Sequence, residues 1–360
     1  MKAAVCYEIG KPLVVEEVDI DTPRVNEVKV RIVATAICHS DIHAIRGERN
    51  AKLPFVVGHE SAGYIEEAGR NVMSVKPGDP VVVSLLGSCR RCYYCVNGHP
   101  YLCENTPFPT PENRLRNKRG QIVNTVGGKV ASFAEYTIVD ESQVVRIPDD
   151  FSMDKASLLA CGVITGFGAV VNRAQVKPLS SVVVIGTGGV GLNSVQGAAI
   201  SGAYPIIAVD LSGYKLEAAR TFGATHMVKA DDKDAVNIVK QLTHGRGADY
   251  VFVTVGSPSA VEQGFSMSGP RGMIVAVGIP RPGSKISLPA FFPGERVLTS
   301  SLIGTTRLSV DVPMLIELYK VGRLKLDELI TNHYSLEQIN EAIESAERGE
   351  ALRNIIMFPG

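Results

Sequence analysis

From the N-terminus to about residue 150, apolar and polar residues alternate in short runs broken by glycine and proline. Glu27-Val28-Lys29-Val30-Arg31-Ile32-Val33-Ala34 has a period of two, which sends successive side chains to opposite faces of an antiparallel strand. Pro80-Val81-Val82-Val83-Ser84-Leu85-Leu86 is a second strand run, entered through the turn residues Lys76-Pro77-Gly78-Asp79. Ala134 to Val139 is a third. No long helical periodicity interrupts them, so this region reads as mainly β.

Beyond about residue 162 strand and helix patterns alternate. Strand runs are Ser181 to Ile185, Pro205 to Val209, Tyr250 to Val253, Met273 to Val277 and Arg296 to Thr299. Helical patterns lie near Tyr214 to Phe222, Asp234 to Thr243 and Ser259 to Ser268. Such alternation predicts an α/β fold with a doubly wound parallel sheet of six strands. Two more helical patterns, Val312 to Val321 and Ser335 to Arg348, precede the apolar run Ile355 to Phe358. No linker-like composition sets this tail apart, so it is expected to return to the β-rich region.

The first of these strands runs into Gly186-Thr187-Gly188-Gly189-Val190-Gly191 and then a helical stretch. Glycines at that spacing let the backbone approach a pyrophosphate at the helix N-terminus. The next strand ends at Asp210, 19 residues beyond Gly191, where an acid can bind the adenosine ribose. A carboxylate there repels a 2′-phosphate, so NAD is expected over NADP. Lys215 is placed either to cover the adenine or simply to face solvent.

Composition narrows the partners. With 37 basic and 37 acidic residues among 360, no net charge draws the chain to nucleic acid or an anionic membrane. No apolar run has spanning length, and the start lacks a signal-peptide core, so a cytoplasmic protein is expected. Seven cysteines in that compartment favour metal over disulfides. Cys89, Cys92, Cys95 and Cys103 are spaced to close around one ion; iron–sulfur is an alternative, but a separate lobe favours a structural zinc. Cys38, His39, Asp41, His43, His59 and Glu60 crowd a second stretch, and Cys161 lies far along the chain. Two thiolates and an imidazole make a tetrahedral zinc set with one position open. Cys6 is left as a buried hydrophobe. The segment from Glu104 to about Val130, with Pro107, Pro109, Pro111, Arg114, Arg116, Lys118 and Arg119, reads as a long surface loop whose charges meet either solvent or a ligand.

Taken together, these residues resemble the zinc-dependent alcohol dehydrogenases of the medium-chain dehydrogenase/reductase superfamily over essentially the whole chain. Gly58-His59-Glu60-x2-Gly63-x5-Gly69-x2-Val72 matches the family's zinc signature. The segment kept after Cys103 is most similar to the animal-type and glutathione-dependent formaldehyde dehydrogenase branch. The resemblance implies a GroES-like catalytic domain from residues 1–162 and 304–360, a zinc lobe at about 87–105, and a Rossmann NAD-binding domain at 163–303.

By position it makes Cys38, His59 and Cys161 the catalytic zinc ligands, with Glu60 close behind as an alternate ligand. Asp41 orients His59; Ser40 and His43 relay the proton from the substrate hydroxyl through the nicotinamide ribose to solvent. His39 and Arg353 fall near the pyrophosphate, Thr165 on the nicotinamide side, and Ile279 among the cofactor contacts. Leu85 and Arg49 sit at pocket-wall positions; Arg46 and Arg49 either meet an anionic substrate or form a solvated turn balanced by Glu48. Two zinc ions per chain, hydride transfer between an alcohol or its carbonyl and NAD(H), and a homodimer or homotetramer follow. Met273 to Gly278 and Arg296 to Gly304 are expected to supply sheet edges for assembly. A carrier-bound substrate such as a thiol–formaldehyde adduct, and a scaffold without chemistry, are the other readings.

Overall fold

The strand Glu27–Ala36 forms where the period-two alternation predicts it and buries Val28, Val30, Ile32 and Ala34. The computed structural model describes residues 1–106, 114–126 and 130–359, which fall into two units. The first comprises Met1–Cys161, Arg307–Tyr319 and Leu326–Gly360; the second comprises Gly162–Thr306 and Lys320–Lys325.

In the first unit, Glu27–Ala36 lies inside a seven-stranded sheet between Glu60–Ala68 and Arg353–Met357, with Tyr136–Asp140 also paired to it. The C-terminal strand aligns Ile355, Ile356 and Met357 against Ala36, Thr35 and Ala34, so the tail does return to the β-rich region. Pro80–Ser84 is buried at all five positions because it pairs on both sides, with Glu60–Ala68 and Val144–Arg146. A five-stranded sheet orders Lys2–Val5, Val14–Ile20, Leu115–Asn117, Ile122–Thr125 and Phe55–Val56.

Two of those strands correct the expected loop from Glu104 to Val130. Leu115–Asn117 and Ile122–Thr125 form an antiparallel hairpin closed by Gly120 in a left-handed turn. Its apolar contribution is only Leu115 and Val123, too short a signal beside the surrounding charges. Arg114 is not solvated either: it is buried between the carboxylates of Asp21 and Glu27. Pro107, Pro109 and Pro111 lie outside the described residues.

The second unit holds a six-stranded sheet, parallel throughout: His226–Lys229, Ile206–Asp210, Val182–Ile185, Ala248–Val253, Ser268–Ala276 and Val297–Ser300. In chain order the strands stand third, second, first, fourth, fifth, sixth, the doubly wound arrangement. Five of the six were visible as apolar runs; His226–Lys229 has one buried residue, Val228, and gives almost no pattern. Ser268–Ala276 pairs on both sides, so the Met273 stretch is not an edge; the edges are His226–Lys229 and Val297–Ser300.

The helix Gly189–Ile200 is buried along most of its length, including Asn193, Ser194 and Gln196. Each has a partner, as a buried polar group must. Asn193 donates to the Gly189 carbonyl at 2.7 Å and Ser194 to the Gly166 carbonyl at 3.0 Å. Gln196 exchanges two bonds with the Lys325 backbone, at 3.1 and 2.7 Å. Among the described residues no helix is long and apolar enough to cross a membrane.

Candidate metal sites and dinucleotide turn

Cys38 stands in extended backbone just ahead of the short helix His39–Ile45. Asp41 closes the start of that helix by accepting the Cys38 N–H at 3.3 Å. Its other oxygen accepts the Gly58 N–H at 3.1 Å and Nδ1 of His59 at 2.8 Å. One buried carboxylate thus joins two distant segments, and by taking the Nδ1 proton it leaves Nε2 of His59 free to ligate. Cys161 arrives from the far end of the unit. Ser84 donates to the carbonyl of its neighbour Ala160 at 2.7 Å, hanging that segment from the buried strand.

One ligand atom each from Cys38, His59, Glu60 and Cys161 lies within 4.8 Å of the others. A hydrogen bond from Cys161, with help from His59, holds the Cys38 thiol well below its usual value despite burial. The same bond and burial push Cys161 well up. Burial opposes charge on His59, yet Asp41 and the Cys38 thiolate hold its imidazole well above the ordinary range. Burial raises Glu60 to about 7 against the pull of Arg353. Four groups competing over protons in a dry site are the setting a dication resolves by displacing them. Glu60 Oε1 is buried with no hydrogen-bond partner, while its other oxygen pairs with the Arg353 guanidinium. The donor set and the unpartnered oxygen both fit zinc.

Ser40 Oγ lies 3.1 Å from Cys38 Sγ and 3.2 Å from His59 Nε2, at the ligand atoms themselves. His43 follows three residues later, on the same face of the helix, and its Nδ1 pairs with Glu48. His39 is exposed at the first helical position. Leu85 and Arg49 are half-buried. Arg46 is bound through two nitrogens to Glu347, at 2.7 and 2.6 Å, so the expected balance with Glu48 is replaced. Arg353, assigned by resemblance to the pyrophosphate, is buried against Glu60. Sequence reasoning missed two partnerships, Arg353 with Glu60 and Glu48 with His43. Only the second left a trace, an acid directly after the helix-ending Gly47.

The four remaining clustered thiols, Cys89, Cys92, Cys95 and Cys103, also fall within 4.8 Å of one another. Cys92 caps a single helical turn, Tyr93–Val96, and its N–H donates to Cys89 Sγ at 3.3 Å. The Cys89 N–H donates to Cys103 Sγ at 3.2 Å. The Cys95 and Glu104 amides bring Cys92 down to about 6, whereas burial and the neighbouring thiols push Cys95 up to about 12. Four thiols so arranged fit a closed tetrahedral site.

In the second unit, Gly186 takes φ +89° as the strand Val182–Ile185 ends, and Gly188 precedes the helix that Gly189, Val190 and Gly191 open. A Cβ on Gly191 would lie 1.8 Å from the Gly186 carbonyl oxygen, so the turn admits no side chain there. Asp210 accepts the Thr187 N–H at 2.6 Å, the Thr187 hydroxyl at 3.2 Å and the Ser212 N–H at 2.8 Å. The acid is therefore fixed to the glycine turn itself. Lys215 is half-buried in the following helix, Thr165 is half-buried in Gly162–Gly168, and Ile279 is exposed.

Residues 24–149 match the family described as the alcohol dehydrogenase GroES-like domain, and residues 189–320 the family described as zinc-binding dehydrogenase. The chain is 36% identical over 365 residues to an NDMA-dependent alcohol dehydrogenase of Amycolatopsis methanolica, covering 99% of this chain and 98% of that one. A zinc-binding-domain alcohol dehydrogenase from Burkholderia ambifaria superposes with a TM-score of 0.95 at 33% identity, over 100% of this chain and 99% of that one. Benzyl alcohol dehydrogenase from Acinetobacter calcoaceticus does so with 0.92 at 32%, over 99% of each.

Proposed function

The chain belongs to the zinc-binding alcohol dehydrogenases of the medium-chain dehydrogenase/reductase superfamily and is a zinc-dependent alcohol oxidoreductase; on that premise we propose that it moves a hydride between an alcohol, or its aldehyde or ketone, and NAD(H). The observation that carries the cofactor reading is Asp210, whose carboxylate is bonded to the glycine turn. It offers acceptor oxygens to ribose hydroxyls and opposes a 2′-phosphate.

Cys38, His59 and Cys161 would hold the catalytic zinc, Glu60 would stand as alternate ligand, and Cys89, Cys92, Cys95 and Cys103 would hold a structural zinc. Bound there, the catalytic metal supplies Lewis acidity at an alcohol oxygen, and the nicotinamide accepts the hydride. The rest falls to the chain. Asp41 keeps His59 in one tautomer and orientation. Ser40, beside the ligand atoms, takes the hydroxyl proton, and His43 on the same helix face passes it toward solvent. His39, Thr165, Gly186, Gly188, Gly189, Val190, Gly191, Lys215, Ile279 and Arg353 are assigned to the dinucleotide by position.

Absorbance of NADH during turnover of a panel of primary, secondary and aromatic alcohols tests the proposal. Turnover with NAD, absent with NADP, is the expected result. Likeness to an NDMA-dependent enzyme makes the electron acceptor the part to probe next, so the panel is repeated with NDMA in place of added NAD. The formaldehyde-dehydrogenase branch and its thiol-adduct substrate rest on the segment after Cys103; His43 weighs against them, since that class usually lacks the histidine. Seven cysteines, none of them in a disulfide, support a cytoplasmic site, and the open edge strand Val297–Ser300 supports a homodimer or homotetramer.

A further inference from the structure

The helix that carries Ser40 and His43 ends in a left-handed turn at Gly47, φ +77°. The Gly47 N–H donates to the Ala44 carbonyl at 3.1 Å and the Glu48 N–H to the His43 carbonyl at 2.8 Å. This double bond pattern is the Schellman closure of a helix, and it folds the residue after the glycine back along the last turn. Glu48 is thereby set beside His43, and its carboxylate accepts the imidazole Nδ1 proton. A Cβ at Gly47 would fall 2.6 Å from Cγ2 of Ile9, which adds contact to the conformational demand for glycine. The turn itself does not ask for an acid: the residue after the glycine usually makes an apolar contact with the helix.

Two other charged groups of this stretch, Arg46 and Asp41, have partners elsewhere. Arg46 is bound to Glu347 and to the Gly10 carbonyl, with Glu344 of the same C-terminal helix beyond, and Asp41 is bound to His59. Arg49, next along the chain, is half-buried.

We propose that Glu48 is a positioning residue for the proton relay: its carboxylate fixes His43 with a proton on Nδ1, leaves Nε2 as the acceptor, and stabilises the imidazolium formed there. The inference rests on the relay assigned to Ser40 and His43 above. The proton leaving the substrate hydroxyl arrives at Nε2, the Nδ1 proton stays in its bond to Glu48, and Nε2–H then goes to water. One proton reaches solvent for each hydride transferred, and both nitrogens return to their starting state.

Glu48→Gln and His43→Gln are compared with the unaltered enzyme in single turnovers at saturating NAD, with the alcohol that the unaltered enzyme oxidises fastest. In Glu48→Gln the acid limb of the rate profile moves to lower pH, as expected for removal of a neighbouring negative charge. The rate falls by roughly three- to tenfold, a fraction of what a whole acid–base step contributes. NAD affinity and thermal midpoint stay unchanged. Gly47→Ala, which breaks the turn, reproduces the shift. Imidazole nitrogen NMR shows His43 protonated at Nδ1 in the unaltered protein and a tautomer mixture in Glu48→Gln. An unmoved profile in Glu48→Gln, with His43→Gln altered, overturns the role of Glu48 and leaves the relay standing. An unmoved profile in both overturns the relay and this inference with it.

Discussion

Two ligand sets in one unit are made in opposite ways. Cys38, His59 and Cys161 come from three segments, and each is held by bonds that do not involve a metal: Asp41 to His59 and to the Cys38 N–H, Ser84 to the residue before Cys161. Cys89, Cys92, Cys95 and Cys103 come from one segment with two short helical turns, Tyr93–Val96 and Pro100–Leu102, and scant apolar cover; Tyr93 and Val96 are 69% and 67% exposed. In the first set the fold assembles the donors. In the second the donors, once a metal joins them, hold the local fold. The difference teaches that removing a ligand should cost chemistry in one place and structure in the other.

The sharpest test is Cys38→Ser. Turnover should fall by about 10³-fold or more, because the transition-state charge loses its metal. NAD binding, followed by fluorescence titration, should persist and zinc should drop from two ions to one per chain. Equal loss of turnover and NAD affinity would make this thiol structural and erase the contrast. Cys103→Ala comes next. It should lower stability by about 3 kcal/mol or more, as loss of a metal staple does, and open residues 87–105 to limited proteolysis. Intact resistance to cleavage there would show that the lobe folds without its metal.

Asp41→Asn sharpens the claim that bonds position the catalytic set. Losing this partner behind His59 should cost about 10–100-fold in metal affinity or turnover, read by competition with a chelator. The smallest effect separates metal loss from ordinary acid titration. Asp327, distant in sequence from every ligand, is held below its usual value by the Tyr319 hydroxyl and by Lys155. A depressed folded value means that its stabilisation is present above the unfolded value and disappears as pH falls through about 4 and below. The carboxylate is mostly exposed, so Asp327→Asn should change stability at neutral pH by less than about 1 kcal/mol. Denaturant midpoints at pH 7 and pH 3 check the sign.

Much of the fold was legible because its signals are local. Alternation in Glu27–Ala36, the all-apolar Val182–Ile185 and the glycine turn each name their own element. The metal donors were legible because thiols and imidazoles rarely crowd by accident. What escaped was set by contacts between distant segments. The hairpin at Leu115 and Ile122 exists because Val14–Ile20 and Phe55–Val56 flank it, and the buried Arg114 needs Asp21 and Glu27. The strand His226–Lys229 is recruited by its neighbour Ile206–Asp210. The partnership of Arg353 with Glu60 spans most of the chain, and no spacing rule reaches that far.

The helix behind the glycine turn bears on how this sequence can drift. Asn193, Ser194 and Gln196 are keyed to named carbonyls and amides, so the helix is indexed by polarity where most buried helices are merely greasy. Exchanging any of the three for leucine would raise hydrophobicity and still strand an acceptor in the dry interior. Over long divergence these three positions should therefore resist apolar replacement more stubbornly than the valines around them.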